Sequence, residues 1–121
     1  SLFINCASML GIEINADDLL KIGELLLNDG KFNGTQVVPS EWIKFMKTLK
    51  VKTPMMFDEK RVLPKFGYGY NLWICENGTF YCDGTDGQYL IVVPDKKMVI
   101  VTLGYQSNMK PITECLRNII L

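Results

Sequence analysis

The residues able to do chemistry are four cysteines, a serine four positions before a lysine, a few carboxylates and one glycine-flanked acidic segment. No histidine occurs among the 121 residues. Ser-His-Asp and Cys-His arrangements and the common His-containing zinc sites are therefore excluded, and acid-base work falls to carboxylates, lysines, tyrosines or thiols. Cys6, Cys75, Cys82 and Cys115 show no C-x-x-C spacing, so they suggest neither a zinc knuckle nor a redox pair, and they read as buried free thiols. Ser40 and Lys44 stand one residue too far apart for a Ser-x-x-Lys pair, in which one helical turn lets the amine take the hydroxyl proton. Ser40 reads instead as a helix cap. Asp17-Asp18 and Asp95 suit a helix start and a turn, which leaves no metal site and no cofactor to expect.

The segment from Tyr81 to Gln88, Tyr81-Cys82-Asp83-Gly84-Thr85-Asp86-Gly87-Gln88, is different. Two glycines interrupt an apolar strand, a pattern that marks either a plain bulged turn or the close approach of a ligand or another backbone. Two Asn-Gly-Thr triplets, at Asn33 and Asn77, match the glycosylation sequon, but Asn-Gly turn chemistry accounts for both.

The elements that position these residues are set by periodicity. Asn15 caps a helix running to about Asn28, with Leu19, Ile22, Leu25 and Leu26 facing inward and Gly30 as its left-handed stop. A turn at Lys31–Thr35 leads to a short helix from Ser40 that buries Trp42, Phe45, Met46 and Leu49. Val51 to Lys65 reads as a long surface loop. Alternation then predicts a strand from Tyr68 to Cys75 and a type I′ hairpin at Asn77-Gly78. Further strands are expected at Thr79–Asp83, Gln88–Val93 and Met98–Leu103, the last two joined by Pro94–Lys97. In that register Trp73 opposes Cys82, and Cys75 lies diagonal to Cys82 at about 7–8 Å, too far for an easy disulfide. A final helix from Pro111 to Leu121 turns Ile112, Cys115, Leu116, Ile119 and Ile120 to one side. The expected fold is α+β, a four-stranded antiparallel meander with helices covering one face.

Thirteen basic residues balance thirteen acidic ones, and 48% of the chain is hydrophobic. Such a chain suits one domain spanning residues 1–121, with Ser1-Leu2 read as an appended start, and offers no field for nucleic acid. No apolar run reaches the roughly 20 residues of a membrane span, and no basic-then-apolar leader opens the chain.

Three stretches in order resemble the serine β-lactamase and penicillin-binding-protein-like family, in its class C β-lactamase and esterase branch. They are Asp17 to Gly34, Gly67-Tyr68-Gly69-Tyr70 followed by Trp73, and Gly84 to Pro94. The resemblance implies a partial serine-hydrolase fold, this chain being the C-terminal segment and a catalytic serine and lysine lying outside it. It also implies that Cys82-Asp83-Gly84 with Gly87 and Gln88 is the counterpart of the family's Lys-Thr-Gly substrate strand, with a cysteine at the basic position and an acid at the hydroxyl position. The main-chain N–H of Thr85 would then be an oxyanion contact, for which side-chain identity hardly matters.

The same resemblance implies a segment inactive alone, whose parent takes a small acyl substrate, extracytoplasmic or at the cell surface of a bacterium. The rival expectation is a non-catalytic binding or assembly module. Because the family flanks the strand at Met98–Leu103 with N-terminal strands, this chain is expected to form a homo-oligomer through that edge.

Overall fold

The computed structural model describes residues 2–4, 12–52, 67–75, 77–84 and 87–121. A small antiparallel pair, β1 (Leu2–Ile4) and β2 (Ile12–Ile14), precedes helix α1 (Ala16–Leu27). A second pair, β3 (Lys31–Phe32) and β4 (Thr35–Gln36), leads to α2 (Ser40–Met46). The main sheet comes next, with β5 (Val51–Lys52), β6 (Gly67–Tyr68), β7 (Trp73–Ile74), β8 (Phe80–Asp83), β9 (Gln88–Val93) and β10 (Met98–Leu103). Helix α3 (Lys110–Ile120) closes the chain. The sheet is six-stranded and antiparallel throughout, in the order β10-β9-β8-β7-β6-β5, so the four-stranded expectation was two strands short. No helix among the described residues is long and apolar enough to cross a membrane.

Strand β9 carries the core. All six of its residues are buried, because each face is covered by a helix. On one face Leu90 and Val92 join Phe80, Cys82 and the α1 residues Leu19 and Leu26. On the other, Tyr89, Ile91 and Val93 join Cys75, Tyr81 and the α3 residues Leu116 and Ile120. Helices on one face only, as the sequence suggested, is therefore incorrect. A continuous apolar run such as Tyr89 to Val93 is the mark of a strand buried on both sides.

Asn15 caps α1 as expected, its side chain accepting from the Asp18 N–H at 2.8 Å, and Asp18 in turn receives Lys21 at 2.8 Å. That hydrogen bond from Lys21 holds the Asp18 carboxyl below its ordinary range. The buried stripe of α1 is Leu19, Gly23 and Leu26, while Ile22 is exposed. Gly23 sits where any Cβ would run into Val99 and Leu90, so a bare backbone sets the distance between helix and sheet. In α2, Ser40 is the first helical residue and makes no side-chain cap; Ile43 is buried, whereas Trp42 and Phe45 are exposed. These two rings pack on Tyr70, with Lys50 above Phe45 at 4.0 Å. Helix α3 buries Thr113, Leu116 and Ile120; Cys115 and Ile119 face out. Lys96 donates to the Ile119 carbonyl at 2.8 Å, a cation at the helix C-terminus.

The expected strand from Tyr68 to Cys75 is two strands separated by a turn. Gly69 donates to the Leu72 carbonyl at 2.8 Å, and Asn71 has φ +59°. A Cβ at Gly69 would strike the Met46 carbonyl, which instead accepts from the Tyr70 N–H at 3.1 Å.

Replacing Gly23 with Ala should destabilise the fold despite alanine's better helix propensity. Overpacking of about 1–3 kcal/mol exceeds a propensity gain of about 1 kcal/mol, so urea denaturation should show a net loss of about 1 kcal/mol. Val99→Ala in the same chain should recover part of it, by removing the methyl group that the new Cβ meets.

Candidate functional site

The site lies where β8 ends. Trp73 pairs with Tyr81 and Ile74 with Phe80, and there the registered ladder between β7 and β8 stops, while β8 stays paired with β9 as far as Asp83 opposite Tyr89. Beyond the end of the β7 ladder, the turn through Asn71 comes alongside β8. A cleft of about 280 Å3 opens between them, lined by Tyr68, Asn71, Trp73, Cys82 and Asp83.

Its side chains are held in place. The Trp73 indole N–H donates to Asp83 Oδ1 at 2.9 Å, fixing the half-buried carboxylate. Tyr68 meets Trp73 edge to face with centroids 4.7 Å apart. The Cys82 thiol donates to the Asn71 carbonyl at 3.4 Å, which binds the turn to the strand and occupies the sulfur. Past Asp83, Gly84 donates to the Gln88 carbonyl at 2.7 Å, and Gly87 has φ +102°, a conformation suited to glycine. The Thr102 hydroxyl donates to the Gly87 carbonyl at 2.7 Å and ties this reversal to β10. Gln88 is 8% exposed, and its Oε1 has no protein partner among the described residues.

Of the residues singled out from sequence, Cys82, Asp83, Gly84, Gly87 and Gln88 are brought together around this reversal; Thr85 and Asp86 lie outside the described residues. The sequence pattern did not reveal that Tyr68, Asn71 and Trp73 join them. Their signal was Gly69 with Asn71, a pair better suited to a turn than to the middle of a strand.

The hairpin feeding β8 also differs from expectation. Cys75 donates to the Thr79 carbonyl at 2.9 Å, Gly78 donates to the Cys75 carbonyl at 3.3 Å, and Gly78 has φ +78°. Among the described residues of this loop only Gly78 is left-handed, as in a three-residue loop closed by a glycine bulge, and not a type I′ turn. The extra residue shifts the register by one, so Trp73 opposes Tyr81 and not Cys82. Cys75 and Cys82 consequently belong to opposite faces of the sheet, one in each core cluster, and both are free thiols. Burial pushes the Cys75 thiol up to about 12.

No family model matches the chain, and no curated protein matches it. Among solved structures, the chain is similar to a Bacillus anthracis protein assigned as a 6-aminohexanoate-dimer hydrolase, with 29% identity and a TM-score of 0.65 over 91% of this chain. That neighbour belongs to the serine β-lactamase and penicillin-binding-protein-like superfamily. The chain spans 29% of the neighbour's length.

The thiols should differ in their reactions. Oxidation should leave Cys75 and Cys82 unlinked in peptide mass maps, and iodoacetamide at pH 8 should modify exposed Cys115 before Cys75. Because the Cys75 thiol titrates near 12 in the folded chain against an ordinary value of 9.0, the unfolded chain loses that proton first as pH rises. Stability present below about pH 9 is then lost progressively up to about pH 12. Cys75→Ala should make the alkaline stability profile shallower than that of the wild type.

Proposed function

We propose that this chain is the C-terminal segment of a β-lactamase-like serine hydrolase and supplies the oxyanion-side strand of an acyl-transfer site. The observation that carries the reading is the ordered end of β8, where Gly84 and Gly87 bracket a main-chain reversal beside a cleft, on a chain 29% identical to a hydrolase of that superfamily. In this reading a serine from the remainder of the protein attacks a substrate carbonyl, and its proton passes to a lysine one helical turn away. The negative charge that develops on the carbonyl oxygen is met by the Thr85 main-chain N–H. Cys82 and Asp83 shape the wall of the cleft and take no part in bond making. The neighbour's assignment as a 6-aminohexanoate-dimer hydrolase supports a hydrolytic reading of this kind.

A second reading, a non-catalytic binding or assembly module, draws on the cysteine and acid at the two positions where the family motif carries a base and a hydroxyl. Labelling with a serine-directed fluorophosphonate separates the two. In the protein that includes its serine-bearing segment, labelling should be stoichiometric, and Thr85→Pro, which removes the N–H, should slow it by about 10²–10³-fold. Thr85→Ala, which keeps the N–H, should label at nearly the wild-type rate. Equal rates in the two variants would exclude the oxyanion role, and no labelling at all would favour the binding module.

The 121-residue chain alone should hydrolyse neither a chromogenic β-lactam nor a p-nitrophenyl ester above background, since it holds no Ser-x-x-Lys pair. It should also self-associate. Strand β10 is the outermost strand of the sheet among the described residues, and antiparallel pairing of two such edges across a two-fold axis buries both. Sedimentation at high micromolar concentration should show a dimer that Ile100→Lys weakens; a monomer at that concentration contradicts it.

A further inference from the structure

We infer that the outer face of α2, together with the turn that carries Tyr70, is a peripheral docking surface for an anionic lipid bilayer. The inference stands apart from the hydrolase reading and uses none of the residues that line the cleft.

Trp42 and Phe45 are neighbours on one face of α2, and Tyr70 reaches them from the turn after β6. The three rings touch, with centroid distances of 5.6, 6.3 and 5.0 Å. Packed against one another, Trp42, Phe45 and Tyr70 still remain 49%, 43% and 43% exposed. One exposed ring is ordinary at a protein surface, but three in contact, contributed by two elements, form a contiguous apolar patch of the kind that marks an interaction site. Main-chain hydrogen bonds fix its shape. The Tyr70 N–H donates to the Met46 carbonyl at 3.1 Å and the Lys50 N–H to the Tyr68 carbonyl at 2.9 Å, so little order has to be gained on docking.

Charge selects the occupant. The Lys50 ammonium lies over the Phe45 ring at 4.0 Å and over the Tyr70 ring at 5.1 Å, within the patch itself. From Ser40 to Lys52 the sequence holds four lysines, at 44, 47, 50 and 52, against one acid, Glu41, although the whole chain has no net charge. Lys47 is engaged by Asp29 at 3.5 Å; among the described residues Lys44, Lys50 and Lys52 enter no ion pair. Residues 53–66, next in sequence, carry two acids and three bases, so they bring no net negative charge to offset the lysines. A partner must therefore accept apolar rings and cations on one surface. A second copy of the same patch would set lysines against lysines, and a soluble acidic chain offers the rings no apolar depth. An anionic bilayer meets both requirements. Trp and Tyr rings settle at the boundary of headgroups and acyl chains, while lysines lay their apolar stems along that boundary and place their ammonium groups among the phosphates. Each lysine at such a surface strengthens binding about fivefold.

The test is flotation of the 121-residue chain with vesicles at low ionic strength, where surface charge is least screened. The chain should float with vesicles of phosphatidylglycerol and phosphatidylcholine in equal parts, and should bind vesicles of phosphatidylcholine alone at least about tenfold more weakly. Trp42→Ala combined with Phe45→Ala should weaken binding to the mixed vesicles at least about tenfold. Lys44→Gln and Lys50→Gln should each weaken it about fivefold. A urea transition for each variant shows that it is folded. Where the aromatic variant does not fold, wild-type tryptophan emission reads insertion directly, since bromine-labelled acyl chains in the mixed vesicles should quench it. Equal binding to the two kinds of vesicle, no binding to the mixed ones, unquenched emission, or binding unchanged in the folded aromatic variant each overturns the inference. Two further outcomes do the same by naming another occupant. Soluble poly-glutamate bound as tightly as the mixed vesicles would make the patch a site for acidic proteins, and self-association abolished by Trp42→Ala would make it an interface between copies.

Discussion

The described fold is arranged around a strand whose six residues are all buried. The six residues of β9 are covered by α1 on one side and α3 on the other, and are bonded along both edges to β8 and β10. A strand in that position must satisfy its main chain entirely through neighbouring strands, since a buried amide or carbonyl left without a partner destabilises the fold by about 1–3 kcal/mol. Register is fixed for the same reason, because a slip of one residue would exchange Leu90 and Val92 for Tyr89 and Ile91 between two differently shaped packing surfaces. The close approach of α1 at Gly23 and the docking of Lys96 on the end of α3 both result from clamping this strand from two sides.

The site inherits its rigidity from that clamp. Gly84 is tied to Gln88 and Gly87 to Thr102 of β10, so the two described ends of the connection between β8 and β9 are held by neighbouring strands. Next to it the short β7 gives way to the Asn71 turn, and a cleft takes the place of a longer ladder. Side-chain identity matters less in the reversal than main-chain position, whereas in the cleft the reverse holds. On the proposed reading, an oxyanion contact made by main chain is compatible with a cysteine at 82 and an acid at 83, whose side chains line the cleft.

Local rules and tertiary constraints divide what could be read from sequence. The Asn15 cap, the antiparallel pairing of β9 with β10 and the terminal helix are decided within a few residues and appear where propensity and capping place them, whereas the left-handed turn that ends α1 begins at Asp29 (φ +52°) and is continued by Gly30 (φ +90°). The two Asn-Gly-Thr triplets show the limit. At Asn33-Gly34 both residues have positive φ and close a two-residue hairpin, whereas at Asn77-Gly78 only the glycine does. The same triplet yields two turns because the pairing of β7 with β8, set by the core, decides how many residues the loop must hold. Alternation likewise hid the break at Gly69, where a neighbouring carbonyl and not the local pattern forbids a side chain. Ile22 and Trp42 fall at helical spacing for burial and are nevertheless exposed, since only the contacting face of each helix is covered.

In the proposed reaction the main chain at the end of β8 must face the reacting carbonyl, and that requirement is geometric. The most direct measurement is a crystal structure of the protein with its serine-bearing segment, trapped as the acyl-enzyme. The acyl carbonyl oxygen should lie within about 2.7–3.1 Å of the Thr85 nitrogen, with Gly84 and Gly87 keeping the backbone of this reversal. An acyl oxygen turned away from β8, or held entirely by groups outside this segment, would contradict the oxyanion role.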